Sequence, residues 1–481
     1  MENDKNRFKY MFCLASLVAI INVMFCTNQA VGTIITIIEG LILLYLALQR
    51  KIAVFISFFV IFVSNCMEFS QFVGNNSLYN IKSIRLGGVN IAAWMLLILL
   101  MSIFTSPFKI SETKDKQPLF HKYGKNMVLV NVMATIVGFI GLLFNDNGIR
   151  TVPGYMSSYF GVIYSSLFIP ITIFCGLVYV TSYEKGKLSF IYSALQATLL
   201  ASAVQICFSF IFGYYGRYGG VDTLLTSTLY FLLPLLLLVS DDSIVFKPFT
   251  IIITVAGTIL TLFFNTNGKE ILTVAIVIAF LIGRLLKDKK LSSKVLAICI
   301  VGGIFIVIPV ALSYLVQNSI IFRSKYVQSI GMMNVFDKNW LINLPGSPRA
   351  RVEELRDVAI ELVGKPWFLF TGKGYLGSII DHTNYFSTLT SNVGLFSDIE
   401  WTHGIYYNLH ELSSNILMFG FIGIVYSASL IKTIRQKKIN NGWIIVGAYW
   451  FLLLFGYSFT LCTFGTTAYL IGLMDRNLID E

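Results

Sequence analysis

The chain has 481 residues, 56% of them hydrophobic and 13% charged, against the ~45–50% apolar and ~25% charged usual in soluble domains. That balance excludes an ordinary soluble domain and argues for one polytopic membrane body, for which a domain count from length is no guide. The formal net charge of +11 would suit a nucleic-acid binder, but basic residues of membrane proteins collect in cytoplasmic loops, so their placement decides between the two.

Residues 1–9, MENDKNRFK, precede the first apolar run; no small-residue cleavage site follows, so the run reads as an anchored helix and not as a removed leader. Apolar runs near the ~20 residues needed to cross a bilayer lie at 8–26, 31–49, 52–71, 89–106, 126–145, 159–182, 191–213, 222–239, 248–265, 271–286, 295–317 and 412–431. The stretch from Trp443 to Met474 has room for two short spans more. The expected fold is therefore all-α and polytopic, with about 12–14 spans. Its parts are a transmembrane portion over 1–317, a large loop over 318–411 and C-terminal transmembrane helices over 412–481. The seven cysteines stand singly in or beside apolar runs, without CxxC or metal spacing, and read as small buried hydrophobes.

With the N-terminus in the cytoplasm, the inside loops hold 23 of the 36 Lys and Arg residues and the short outside loops hold five, Lys82, Arg85, Arg150, Arg217 and Lys269. The asymmetry favours this orientation, accounts for the basic balance and leaves no case for a nucleic-acid partner. The bilayer is the partner that composition does imply. Within the spans, Glu39 and Glu68 are the ionisable exceptions and so candidates for function, Glu39 being the feature that favours proton-coupled transport.

The loop over 318–411 is external by alternation. It carries His382, His403 and His410, three of the four histidines, and enough aromatic residues to argue against disorder. Within it, SPRARVEELRDVAIELVGKPWFLFTGKG predicts a helix that starts at Ser347 and Pro348 and ends at Gly364, before Pro366. Val352, Leu355, Val358, Ala359, Leu362 and Val363 form its apolar stripe, expected to dock on the membrane surface or the transmembrane body. Arg349 and Arg356 fall on the polar side beside Glu353 and Asp357, as ordinary surface pairs. Arg351 falls in the apolar stripe, where a guanidinium needs an anionic partner, either a carboxylate or a phosphate-bearing ligand.

Taken together, Arg351, the helix, Pro366, Gly372 and Gly374, followed by His410 ahead of an apolar helix with Gly420 and Gly423, resemble the O-antigen ligase and O-antigen polymerase superfamily of bacterial surface-polysaccharide assembly. The match covers about eighty residues, and the large external loop near the C-terminus is also the family's layout. The resemblance implies a glycosyltransferase in the bacterial plasma (inner) membrane, with a donor glycan carried on undecaprenyl diphosphate. It implies no metal and no cofactor, and a flippase and a chain-length regulator of the same pathway as partners. A sugar hydroxyl of the acceptor would attack the anomeric carbon while the lipid diphosphate leaves. Such chemistry asks for a proton acceptor, for which His410 and His403 are rivals, with Glu411 placed to orient the ring or the acceptor. It also asks for positive charge where the diphosphate departs, for which Arg351, Arg217 in GYYGRYGG and Arg85 in IKSIRLGG are the candidates. Asp398 and Glu400 have the spacing of a metal-binding carboxylate pair, against the metal-free mechanism implied. A ligase with a different acceptor, a transporter or flippase of lipid-linked oligosaccharide, and a sensor or scaffold using the loop remain the other readings.

Overall fold

The computed structural model describes residues 2–67, 78–106, 118–184, 186–218, 221–224, 230, 233, 234, 237, 248–264, 268–287, 289–333, 336–344, 346–389 and 396–436. The described chain is mostly helical, and its strands are three short antiparallel ribbons. Three helical stretches, Arg7–Phe25, Gln29–Leu48 and Ser189–Ile211, are long and apolar enough to cross a membrane, close to where the sequence places spans. Shorter apolar helices occupy most of the other expected positions, among them Ile52–Ser64, Ile91–Phe104, Val128–Leu143, Phe249–Phe264, Leu291–Gly303 and Leu412–Val425.

Two expectations change. The run at 222–239 opens as a strand, Val221–Leu224, paired antiparallel with Tyr215–Tyr218, because backbone groups there are satisfied by the neighbouring strand and not within a helix. The run at 159–182 is a composite of the helices Tyr155–Ile163 and Ile169–Tyr183 with a π turn, Tyr164–Phe168, between them. Glu68 and the stretch from Trp443 to Met474 lie outside the described residues.

The chain divides into two compact units. In the first, formed mainly by residues 1–113 and 175–326, the Leu188–Ile211 helix is central and packs against Glu2–Phe25, Ile52–Ser64 and Pro248–Phe264. The carboxylate of Glu184 accepts hydrogen bonds from the backbone N–H of Ile52 at 2.6 Å and of Ala53 at 3.4 Å, so an acidic side chain covers donors that a helix start leaves open.

The second unit comprises residues 114–174 and 327–467. Its organising element is the Gly346–Gly364 helix, ending at the glycine before Pro366 as the sequence predicts. Its orientation departs from the expected one. Glu353, Glu354, Asp357 and Glu361 are all buried, at 3%, 0%, 0% and 4% exposure, while Ile360 and Val363 face outward at 44% and 71%. Of the expected stripe, Val358 and Leu362 do enter the core, with Ala350, Ile379, Phe386, Phe396, Tyr406 and Leu417. The acidic side can turn inward because other parts of the unit supply hydrogen-bond partners for it, which removes most of the cost of burial.

Three glycines of the motif, Gly372, Gly374 and Gly420, come together in space. The helix Glu411–Gln436 breaks its geometry at Gly420, at φ 53°, and the loop after the short helix Phe368–Thr371 packs into the break. The break frees carbonyls that a continuous helix would use: Lys373 N–H donates to Leu417 O at 2.6 Å and Gly374 N–H to Met418 O at 3.2 Å. On the other side, Tyr375 N–H donates to Ala134 O at 2.9 Å in the Pro118–Leu143 helix. A Cβ on Gly372, Gly374 or Gly420 would overlap backbone of the neighbouring element, and all three have positive φ. Gly374→Ala therefore combines a left-handed backbone penalty of ~1–2 kcal/mol with a backbone collision. It is expected to lower the Tm of the purified protein sharply, whereas Gly364→Ala, which meets nothing within 4 Å, should leave it nearly unchanged.

Candidate functional site

The buried acidic side of the Gly346–Gly364 helix carries Glu354, Asp357 and Glu361 at i, i+3 and i+7, one above another on a single face. Each is held by a different part of the unit. Glu354 receives His410 twice: the backbone N–H donates to Oε2 at 3.0 Å and the ring Nδ1–H to Oε1 at 2.6 Å. Residue 410 is thus clamped at both backbone and ring, just where the Glu411–Gln436 helix begins. A buried carboxylate taking the Nδ1 proton fixes the tautomer and leaves the Nε2 lone pair of a side chain that keeps 30% exposure. The Phe396 ring lies 6.1 Å from the imidazole and bounds it on one side.

Arg351 is half-buried and sits one turn before Glu354 on the same face, a spacing that puts their Cβ atoms about 5–6 Å apart. It is therefore in the neighbourhood of the imidazole–carboxylate pair. The other two arginines of the helix pair with Glu353 at the expected i,i+4 and i,i+3 spacings, although that carboxylate is buried. Arg356 donates to the buried Glu353 at 2.7 Å, and Arg349 stacks over Tyr385 at 4.5 Å while approaching Glu353 at 3.8 Å.

At the far end of the face, Glu361 is the hub of an ionic cluster. Its Oε1 accepts from Lys373 Nζ at 2.5 Å, from Lys365 Nζ at 2.8 Å and from Asn147 Nδ2 at 3.1 Å, and its Oε2 accepts from His382 Nε2 at 2.6 Å. Asp146 completes the cluster through both lysines. Lys373 also donates to Ser378 O at 2.8 Å, so all three of its donors are matched inside the protein. The two lysines balance Asp146 and Glu361, which is the condition under which a buried ion cluster is tolerated.

Between the two ends, Asp357 accepts from Thr383 N–H at 2.8 Å. Burial pushes its carboxyl up to about 6 from 3.8, with Thr383 opposing that rise. For Glu361 burial acts in the same direction, but hydrogen bonds from Lys365, Lys373 and His382 outweigh it and hold the group down at about 2, from 4.5. The two groups have opposite signs of linkage. Stability from Glu361 is present above pH 4.5 and lost as pH falls towards 2; stability from protonated Asp357 is present below pH 3.8 and lost as pH rises through 6. Asp357→Asn is expected to abolish the fall in Tm between pH 4 and pH 6 and to keep the acid limb; an unchanged profile would contradict the burial argument.

His403, the rival histidine, ends the short helix Asp398–His403, is exposed, and pairs its Nδ1 with the Ile399 carbonyl at 2.9 Å, the geometry of a helix-end residue. Glu400 is fully buried and spent on loop closure. It forms a capping box with Ser397 and accepts from the N–H groups of Tyr407 and Asn408, both at 2.8 Å, while Asp398 is exposed. Glu411 opens the helix that follows His410, and its side chain lies outside the described residues. Arg85 and Arg217 belong to the first unit. Arg85 is exposed in the ribbon Arg85–Leu86 with Val89–Asn90; Arg217 lies in a strand opposite Asp222, and its side chain is outside the described residues.

The sequence reading missed Glu354, Glu361, Lys373 and Asp146. The i, i+3, i+7 carboxylates and the lysine enclosed by Gly372 and Gly374 were the available signals, but surface helices carry acidic residues at such spacings routinely. Comparison of the chain with protein-family models, curated proteins and solved structures gives no match.

Proposed function

We propose that this chain is a polytopic membrane glycosyltransferase of the O-antigen polymerase type, joining undecaprenyl-diphosphate-linked oligosaccharide repeat units at the outer face of a bacterial plasma membrane. The observation that carries the reading is the His410 ring held by buried Glu354, with Arg351 one helical turn away, in the segment whose motif resembles that superfamily. In this reading the N-terminus is cytoplasmic and the segment over 318–411 is external.

The acceptor's sugar hydroxyl gives its proton to His410 Nε2 as its oxygen bonds to the anomeric carbon of the donor. The bond from that carbon to the diphosphate breaks, and the electron pair leaves with the lipid diphosphate. Glu354 keeps the ring oriented and stabilises the imidazolium that forms. Arg351 meets the charge that grows on the departing diphosphate, a task suited to a planar fork of donors. The half-buried setting strengthens both interactions relative to open water. In a strain lacking the gene, wild-type protein should restore a ladder of chain lengths, and Arg351→Ala should leave single repeats. Accumulation of long lipid-linked chains in the deletion strain would point instead to a ligase.

A transport reading rests on a separate observation, the burial of Glu39 at 5% exposure within the apolar Gln29–Leu48 helix. It predicts that deletion traps substrate on the cytoplasmic face and that Glu39→Gln is more damaging than any change near His410. The polymerase reading predicts the reverse order.

A further inference from the structure

The ionic cluster and the glycine contacts fix the height of one segment. After Gly364 and Pro366 end the loop helix, residues 365–376 form an elbow that packs, within the second unit, against two apolar helices. Gly374 meets the first at Gly138, five residues, or about 8 Å, from the end of the apolar stretch Val128–Leu143. Gly372 meets the second at Gly420, eight residues, or about 12 Å, from the start of Leu412–Val425. In the topology proposed above, both of those ends are the outer ends.

The elbow is built for such a depth. Its non-helical backbone N–H groups at Lys373, Gly374 and Tyr375 are all paired with helix carbonyls, as irregular backbone must be where water is absent. The one buried ammonium, Lys373, is fully matched. The polar residues Lys365 and Asp146 lie towards the helix ends, whereas Trp367 and Phe370 point outward at 65% and 62% exposure. Phe139 and Ile140 of one flanking helix and Phe421 and Ile424 of the other are exposed as well. Ile360 and Val363 of the loop helix are exposed too. Exposed aromatic and aliphatic side chains around a face of buried carboxylates suit lipid better than water.

We propose, resting on the membrane reading above, that this elbow is a re-entrant wedge in the outer leaflet, with Trp367 and Phe370 in contact with lipid acyl chains. The occupant of the apolar face is bilayer lipid and not a protein partner. The wedge holds the Glu354–His410 end of the loop helix at the membrane surface, where a lipid-anchored diphosphate arrives laterally.

The test uses the full-length protein in phosphatidylcholine and phosphatidylglycerol vesicles whose acyl chains carry bromine, a short-range quencher of tryptophan emission. Trp367→Phe should remove a component that bromolipid quenches and aqueous iodide does not, and adding Phe370→Trp to that variant should restore such a component. Quenching of the Trp367 component by iodide would place it in water and overturn the proposal. Insensitivity to both quenchers would mean that protein covers it, with the same consequence. Bromolipid quenching of the remaining tryptophans is the control for the parent reading. If none of the protein's tryptophan emission responds to bromolipid, the membrane body itself fails; if the others respond and Trp367 does not, the wedge alone fails.

Discussion

Under the proposed polymerase function, replacing His410 by alanine is expected to reduce repeat-unit joining by about 10²- to 10⁴-fold, the contribution of a positioned general base. Vesicle-bound protein, a lipid-linked repeat unit and separation of products by chain length provide the measurement. Three further variants sharpen it. His403→Ala should retain near wild-type activity, because that ring closes a short surface helix and bonds to the Ile399 carbonyl within it. Glu354→Gln keeps an acceptor for the Nδ1 proton but removes the charge that favours imidazolium, so kcat should fall while KM changes little. Arg351→Lys keeps a charge and loses the fork, and should be impaired nearly as much as Arg351→Ala. Full chain length from His410→Ala, or loss of it from His403→Ala alone, would remove the assignment of the base.

The second large effect concerns stability. Lys373 is 2% exposed and shared by Asp146, Glu361 and the Ser378 carbonyl, so Lys373→Met leaves two carboxylates without the cation they enclose. Breaking one partner out of a buried ionic cluster costs about 3–5 kcal/mol, and an apolar replacement of similar length does not recover the lost charge balance. The folded protein should then unfold at a much lower temperature in detergent, or fail to accumulate. Lys365→Met is the comparison, since its ammonium is 29% exposed and water can replace part of what it supplies. Equal Tm values for the two variants would mean that Lys373 is not the keystone of the elbow.

Much of the local structure was legible from the chain itself. The Ser-Pro start and Gly-x-Pro stop set the ends of the loop helix to within a residue or so, since those residues act on their own backbone. The runs at 8–26, 31–49 and 191–213 announced helices because an uninterrupted apolar stretch has few other ways to satisfy its backbone in lipid. The strand at Val221–Leu224 was missed because a short apolar run has no length by which to tell a strand from a helix start.

The sequence by itself thus determined the helical class, the extent of the loop helix and the presence of a histidine where an apolar helix begins, all consequences of neighbours along the chain. Only the tertiary structure decided that His410, and not His403, acquires a buried carboxylate at Glu354, and that the acidic side of the loop helix faces inward. It also decided why Gly372, Gly374 and Gly420 are glycines. Glu354 and His410 are 56 positions apart, and Asp146 and Lys373 are 227 apart. No local pattern encodes such pairs, because the energy of burying a charge depends on what the rest of the fold brings within hydrogen-bonding distance.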